Sequence, residues 1–505
     1  METHKKIIVT SKKNLKAKYD TGFSTVEKLL DDLVAADKKR NIDTQVVYID
    51  DAASTKKAGV KSVASITRQS AKKAIDDLYK KTLPAYLVIF GSQDIIPFQE
   101  LINIIPNSNY NDSDSIIPSD LPYACDAPYS NNISSFTGPT RVVGRIPDIT
   151  GQADLQYLET VIKSIIAWKP QKQEKFMNYF SVSASVWKKS TQQSLTYVFG
   201  NSAKLKNSPL ASISYPAKDL KPLIHFYNCH GSSKDSKYYG QQGNNFPTAM
   251  ESTDLKNKIT FGTIVAAECC YGAELYDPAN EDNRQLAIAN TYFENKAIAF
   301  VGSSTIAYGP AEGQGLADLI TQYFIKNVLS GASTGRAFLE ARHQFLTESA
   351  SLDPYEMKTL AQFYLLGDPS IHPISIEVTD SGEESVENHR LKLMNKGFNL
   401  AKTIGISEQV QVSSVKMGKT VSTQLSSIMK NTGFSGKEQE FLFTVKTKNG
   451  KSSASAKEIT ETDKVSFRTY IQNSKPSHSK LQLFDVLVLK ESGDKLLGWK
   501  VYQSK

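Results

Sequence analysis

The chain has 505 residues, which at ~150 residues per domain suggests about three domains. With 40% hydrophobic and 22% charged residues it has the composition of a folded chain able to bury large cores, not of a disordered one. Sixty Lys+Arg against 52 Asp+Glu leave a net charge of +8. Spread over this length, that is too dilute to indicate a nucleic-acid partner, which requires clustered basic charge. The four cysteines, Cys125, Cys229, Cys269 and Cys270, are too few for a disulfide scaffold. The N-terminal METHKKIIVTSKKNLKAKYD has no apolar core of the length a signal peptide needs, and no run is long enough to span a membrane. A reduced, cytoplasmic protein is the expectation.

Strand-like and helix-like segments alternate along the first three quarters of the chain. KKIIVT (5–10), TQVVYI (44–49) and AYLVIF (85–90) read as strands, and 24–40 and 62–81 as amphipathic helices. Continuous apolar runs between such helices are what parallel strands covered on both faces require. Residues 101–150, rich in Asn, Ser, Asp and Pro, form a long surface excursion that returns to the sheet at TRVVGRIPDIT (140–150). A helix over 151–169 and a strand at NYFSVSA (178–184) open a second α/β set. Its strands are LIHFYNCHG (223–231), ITFGTIVAAECCYG (259–272) and KAIAFVGSS (296–304), its helices lie near 284–292, 311–329, 334–348 and 355–364, and LLGDPSIHPISIEV (365–378) closes the unit. After SGEESVEN (381–388), an acidic linker, short β-favouring runs alternate with Lys/Ser/Gly turns. KTKNGKS and ESGDK read as hairpin turns. The expected organisation is an N-terminal α/β subdomain (1–150), a catalytic α/β subdomain (151–379) and a β-rich accessory domain (380–505). The first two are tandem doubly wound units with mostly parallel sheets.

Two motifs carry chemistry, both at the carboxyl ends of predicted parallel strands, where open α/β sheets place ligands. One is His230-Gly231. The other is Glu268-Cys269-Cys270-Tyr271-Gly272. A thiol and an imidazole on adjacent strand ends serve nucleophilic attack and proton transfer, and a glycine after the histidine lets backbone N–H groups approach an oxyanion. Zinc fits poorly, because adjacent cysteines on a strand point to opposite faces. Cys229, Cys125, His225 and His343 read as packing residues. The P-loop, the dinucleotide-binding glycine fingerprint, HExxH and the EF-hand loop are all missing from the sequence.

An apolar strand ending in His-Gly, followed by one ending in acid-small-Cys, resembles the caspase-like (clan CD) cysteine peptidases. The ordered set AYLVIFGSQDIIP, TRVVGRIPDIT, FYNCHGS, AAECCYGAELYD, KAIAFVGSSTIAYGP and FYLLGDPSI resembles the gingipain branch, peptidase family C25, over roughly 1–375. The resemblance implies a cysteine endopeptidase acting on protein or peptide substrates, with His230 as acid/base and Gly231 in the oxyanion hole. The family pattern of an acid, a small residue and the nucleophile maps onto Glu268-Cys269-Cys270 and makes Cys270 the nucleophile. Cys269, with a Cys-x-x-Gly spacing to Gly272, is the fallback. The segment SASVWKKST (183–191) lacks the acidic residue of arginine-cleaving relatives. Trp187 and Lys188 there, with Lys189, leave room for an acidic substrate residue, whereas Glu268 as a pocket wall would restore a basic one. Ser303 and Ser304 are expected near the substrate backbone. No cofactor is required; relatives bind calcium, but no ligand spacing places it here. Regulated limited proteolysis, with self-cleavage or an activating partner, is the expected mode. The competing reading is a catalytically inactive binding or scaffold protein.

Overall fold

The computed structural model describes residues 4–105, 112–208, 214–310, 312–349, 352–375, 411–412, 417, 419–434, 440–445, 465–474 and 480–505. In chain order the strands are β1 (His4–Thr10), β2 (Ile42–Tyr48), β3 (Tyr86–Phe90), β4 (Gln99–Ile102), β5 (Ile116–Ser119), β6 (Val143–Ile146), β7 (Tyr179–Ala184), β8 (Leu205–Ser208), β9 (Ile224–Asn228), β10 (His230–Gly231) and β11 (Lys237–Tyr239). There follow β12 (Thr248–Glu251), β13 (Ile264–Ala267), β14 (Ala299–Ser303), β15 (Tyr308–Pro310), β16 (Phe363–Gly367), β17 (Gln411–Val412), β18 (Glu440–Val445), β19 (Val465–Ser474), β20 (Leu483–Ser492) and β21 (Lys495–Ser504).

Ten of them make one continuous sheet in the order β2-β1-β3-β6-β16-β14-β13-β9-β7-β8. Every neighbouring pair is parallel except β14 with β16. The two expected α/β units are therefore fused into one mixed sheet, with a single antiparallel seam. The late strand β16 crosses over to complete the N-terminal half. The apolar runs that predicted these strands are buried on both faces: Ile7, Ile8 and Val9 in β1, and Ile264, Val265, Ala266 and Ala267 in β13, are all sealed from solvent.

Covering helices follow their apolar stripes. Phe23–Lys39 buries Val26, Leu29, Leu30 and Leu33. Leu155–Ala167 starts at the Asp154 N-cap, whose side chain accepts from the Tyr157 N–H. The helix expected from 62 begins only at Arg68, where Thr67 and Ser70 form a capping box. Three helices among those covering this sheet were not expected: Lys12–Tyr19, Ala52–Ala58 and Lys188–Phe199. The first buries only Leu15 and Tyr19, too little to set an apolar period.

The C-terminal part is β-rich, as expected, with β21-β20-β19-β18-β17 in an antiparallel order. The ESGDK turn closes the β20–β21 hairpin, with Gly493 at φ 59°. A helix not expected there, Lys419–Thr432, lays Val421, Leu425 and Ile428 against Tyr470, Leu487 and Leu489. The segments SGEESVEN and KTKNGKS lie outside the described residues. This sheet has a sixth member: β15, from the loop that follows β14, pairs antiparallel with β21.

Candidate active site

The half of the sheet containing β9, β13 and β14 brings its carboxyl ends to one crest. β9 and β13 run parallel, with Tyr227 opposite Ala267, and the Glu268 N–H donates to the Tyr227 carbonyl at 2.9 Å. Just beyond them the two sequence motifs meet. Gly231 lies so close to Cys270 that a Cβ there would collide with the Cys270 carbonyl oxygen, so only glycine fits. The Cys270 turn is held by a left-handed Tyr271 at φ 52°, a strained conformation of the kind found at functional sites. Tyr271 is fixed in turn by its hydroxyl, which donates to Asp114 at 2.7 Å.

His230 is buried between Trp187, at 4.5 Å between ring centroids, and Phe246, at 5.5 Å. Its Nε2 lies 2.7 Å from Oε1 of Gln241, an acceptor, so Nε2 carries the proton. The Gln241 amide is oriented by Nε2 donating to the Gly243 carbonyl at 3.1 Å. Nδ1 of His230 is left buried with no hydrogen-bond partner, a lone pair available to a proton from outside the ring. Burial lowers the His230 pKa to about 4, with the Lys505 ammonium adding to the effect against the Gln241 hydrogen bond.

The two cysteines differ sharply in surroundings. Cys269 is sealed in the core and interacts with Cys229, and burial pushes its thiol far up. The Ser303 hydroxyl donates to the Cys269 carbonyl at 2.7 Å. Cys270 lies at the crest. Its Sγ accepts from the Ala307 N–H at 3.3 Å and its backbone N–H donates to the Lys505 carbonyl at 3.1 Å. Burial raises the Cys270 pKa to about 12, so with the crest covered it is a neutral thiol.

What covers it is the end of β21. Tyr308, Gly309 and Pro310 of β15 pair with Ser504, Gln503 and Tyr502, and the Lys505 N–H donates to the Ala307 carbonyl at 2.9 Å. The Lys505 side chain passes over Gly309, where a Cβ would strike its Cε, and enters a closed acidic pocket. Its ammonium donates to Asn228 Oδ1 and to Glu268 Oε2, each at 2.9 Å, and to Asp318 Oδ1, and it lies 5.3 Å from the Trp187 ring centre. All three charged groups are wholly buried. Burial pulls the Lys505 ammonium toward neutrality, but Asp318 and Glu268 together hold its pKa above the ordinary value. Burial raises Glu268 to about 8, with Asp318 adding to the rise and Lys505 opposing it. The buried Asp318 carboxylate, with the Glu268 carboxyl and the Asn228 oxygen beside it, makes a pocket that favours a cation.

The residues expected at the site distribute unevenly. His230, Gly231, Cys270, Glu268 and Trp187 converge. Lys188 is exposed at the start of its helix, and exposed Lys189 lies 3.4 Å from exposed Glu312. Ser303 and Ser304 spend their hydroxyls on the carbonyls of Cys269 and Thr305 and of Pro118, bracing the loop that leads to β15. Asp318, Asn228, Gln241 and Gly309 were not singled out. Asp318 had a signal, being the one acidic residue of the helix Ala317–Leu329. Asn228 and Gln241 had none.

Asp112 and Asp114 are both engaged by the buried Lys358 ammonium, which supplies the positive charge a cation would bring. Among the described residues, no cluster of three or more His, Cys, Asp or Glu is arranged around a metal position. No described helix is long and apolar enough to cross a membrane.

A thiol, an imidazole with a free nitrogen and a backbone N–H on a carbonyl oxygen lie at the strand ends of an open α/β sheet, and such groups can serve thiol-based hydrolysis. The family comparison is more specific. Residues 2–374 match Peptidase family C25, and the chain belongs to that family of cysteine-type endopeptidases. A solved structure described as "Structure of Protease" is similar at 11% identity and a TM-score of 0.48, covering 100% of this chain and 98% of that one. No curated protein matches.

Proposed function

We propose that this chain cleaves protein substrates on the carboxyl side of lysine, with Cys270 as nucleophile and His230 as acid/base. The observation that carries the reading is Lys505. Its ammonium is clamped by Glu268 and Asp318 while its carbonyl oxygen accepts from the Cys270 N–H. A substrate lysine seated in the same way brings its carbonyl carbon to the Cys270 thiol.

In the reaction, the Cys270 proton passes to Nδ1 of His230 as sulfur attacks that carbon. The oxyanion forms on the Cys270 N–H, with the Gly231 N–H as the second donor. His230 then protonates the leaving amine, which departs as the C–N bond breaks and leaves a thioester. Water, losing a proton to His230, hydrolyses the thioester and restores the thiol. Gln241 fixes the tautomer that leaves Nδ1 free, so it is a positioning residue. The basic Lys188/Lys189 segment plays no part in this pocket, and the acidic wall formed by Glu268 determines the charge preference. The natural mode is limited proteolysis of proteins that present an exposed, extended lysine segment to β15.

Profiling the full-length chain and its Lys505→Ala form against a peptide library tests the proposal. Cleavage after lysine is expected. Cleavage after acidic residues, or cleavage without preference at that position, overturns it.

A further inference from the structure

Beyond the chemistry lies the question of what already fills the cleft. β21 is hydrogen-bonded on both edges, to β20 on one side and to β15 on the other. The C-terminal sheet thus continues through β21 onto the strand that borders the nucleophile, as in β-strand addition of a peptide ligand. The segment runs antiparallel to β15 and brings the Lys505 carbonyl to the Cys270 N–H.

The three residues before Lys505 are also held. The Ser504 hydroxyl bridges the Phe484 N–H and the Gln482 carbonyl, each at 2.9 Å, on its own sheet. Gln503 accepts from the Trp187 indole N–H at 3.3 Å and donates to Asp485 at 2.8 Å. The Tyr502 hydroxyl donates to Asp353 at 2.7 Å, with its ring 5.8 Å from Tyr355. Further out, Lys500 pairs with Glu356 at 2.8 Å and Lys480 with Asp282 at 2.6 Å, fastening the same sheet to the catalytic part.

We propose that Tyr502-Gln503-Ser504-Lys505 is an intramolecular ligand of the substrate cleft, held there by the C-terminal sheet, and that other proteins are cleaved only when this strand leaves. The inference rests on the preceding reading only for calling the cleft a substrate site. Because the strand is already ordered in its sheet and tethered to the same chain, it binds with little further ordering cost and at high effective concentration. A competing peptide must displace it. The neutral thiol and neutral imidazole beneath it are the resting state expected of a covered site.

A binding measurement that needs no catalysis tests this. The probe is a fluorescein-labelled Val-Tyr-Gln-Ser-Lys peptide, titrated against the full-length Cys270→Ala chain and against the same chain carrying Lys505→Ala. Removing the lysine anchor is expected to tighten probe binding by about 100-fold, the weight of a tethered competitor with a buried charge anchor. Lys505→Met, which keeps the aliphatic stem over Gly309, is expected to act in the same direction. Equal binding to all three chains, or binding to none, overturns the proposal. Cleavage of lysyl amides by chains with Cys270 intact is read separately. A Lys505→Ala chain that binds the probe but cleaves nothing would sink the peptidase reading and leave the occupancy standing. Equal cleavage with and without Lys505 would do the reverse.

Discussion

Asp318→Asn isolates the charge component of the lysine pocket. Asp318 and Glu268 both contact the Lys505 ammonium in a site sealed from solvent, and Asn228 adds a neutral acceptor. Breaking a buried pair outright costs about 3–5 kcal/mol, but here the Glu268 carboxyl still accepts from the ammonium and so does the asparagine oxygen. The expected loss is therefore about 2–3 kcal/mol of binding to the substrate ammonium, or roughly 30- to 150-fold in kcat/KM. The assay compares fluorogenic peptides with lysine or norleucine before the scissile bond, in the Lys505→Ala background so that the pocket is open. Norleucine keeps the methylene stem without the charge, so the lysine-to-norleucine ratio measures the pocket's electrostatics alone. That ratio should fall in Asp318→Asn while norleucine cleavage holds or improves. An unchanged ratio would refute the assignment of the acidic pocket.

Two further outcomes follow from His230. Gln241→Leu removes the acceptor on Nε2 without changing the side chain's bulk much. The imidazole then loses its tautomer preference, and kcat should drop by about 10- to 100-fold with KM nearly unchanged, because the ring acts mainly on the chemical step. A KM effect alone would place Gln241 in binding instead. The second concerns stability. Burial depresses His230 from 6.5 to about 4, so its neutral form is the one the fold keeps. That contribution is complete above pH 6.5 and is lost as pH falls through about 4. The gap corresponds to about 3 kcal/mol. Denaturant unfolding at pH 7 and pH 4 should show the parent chain losing about that much more than His230→Gln. His225, also held low, to about 3, by burial, is common to both chains and cancels. Parallel losses would contradict the buried-imidazole account.

Much of this architecture was legible in the sequence because its physical causes are local. The central strands of the main sheet are short apolar runs, and two of them lead into the motifs that meet at the crest. His230 and Cys270 could be read because strand ends in an α/β sheet are where side chains converge. Glu268 and Trp187 were named for the pocket, but their shared partner was not. The missing parts depend on long-range pairing. Asp318 lies 50 residues beyond Glu268 in the sequence and faces it only because Ala317–Leu329 packs on β13. Gln241 reaches His230 because β11 folds back on β10 and pairs Tyr239, two residues before Gln241, with His230. Lys505 is one of many lysines, and only the pairing of β21 with β15 sets it apart. Ser303 and Ser304 mark the loop in the sequence, and the register then sets Tyr308–Pro310 beside β21.

The choice of nucleophile is the central claim, and covalent labelling reads it directly. A lysyl fluoromethylketone peptide, applied to the Lys505→Ala chain and followed by mass spectrometry, should place one adduct on Cys270. The adduct should persist in Cys269→Ala, whose thiol is sealed against Cys229, and vanish in Cys270→Ala and His230→Ala. An adduct on Cys269, or labelling that survives Cys270→Ala, would contradict the account.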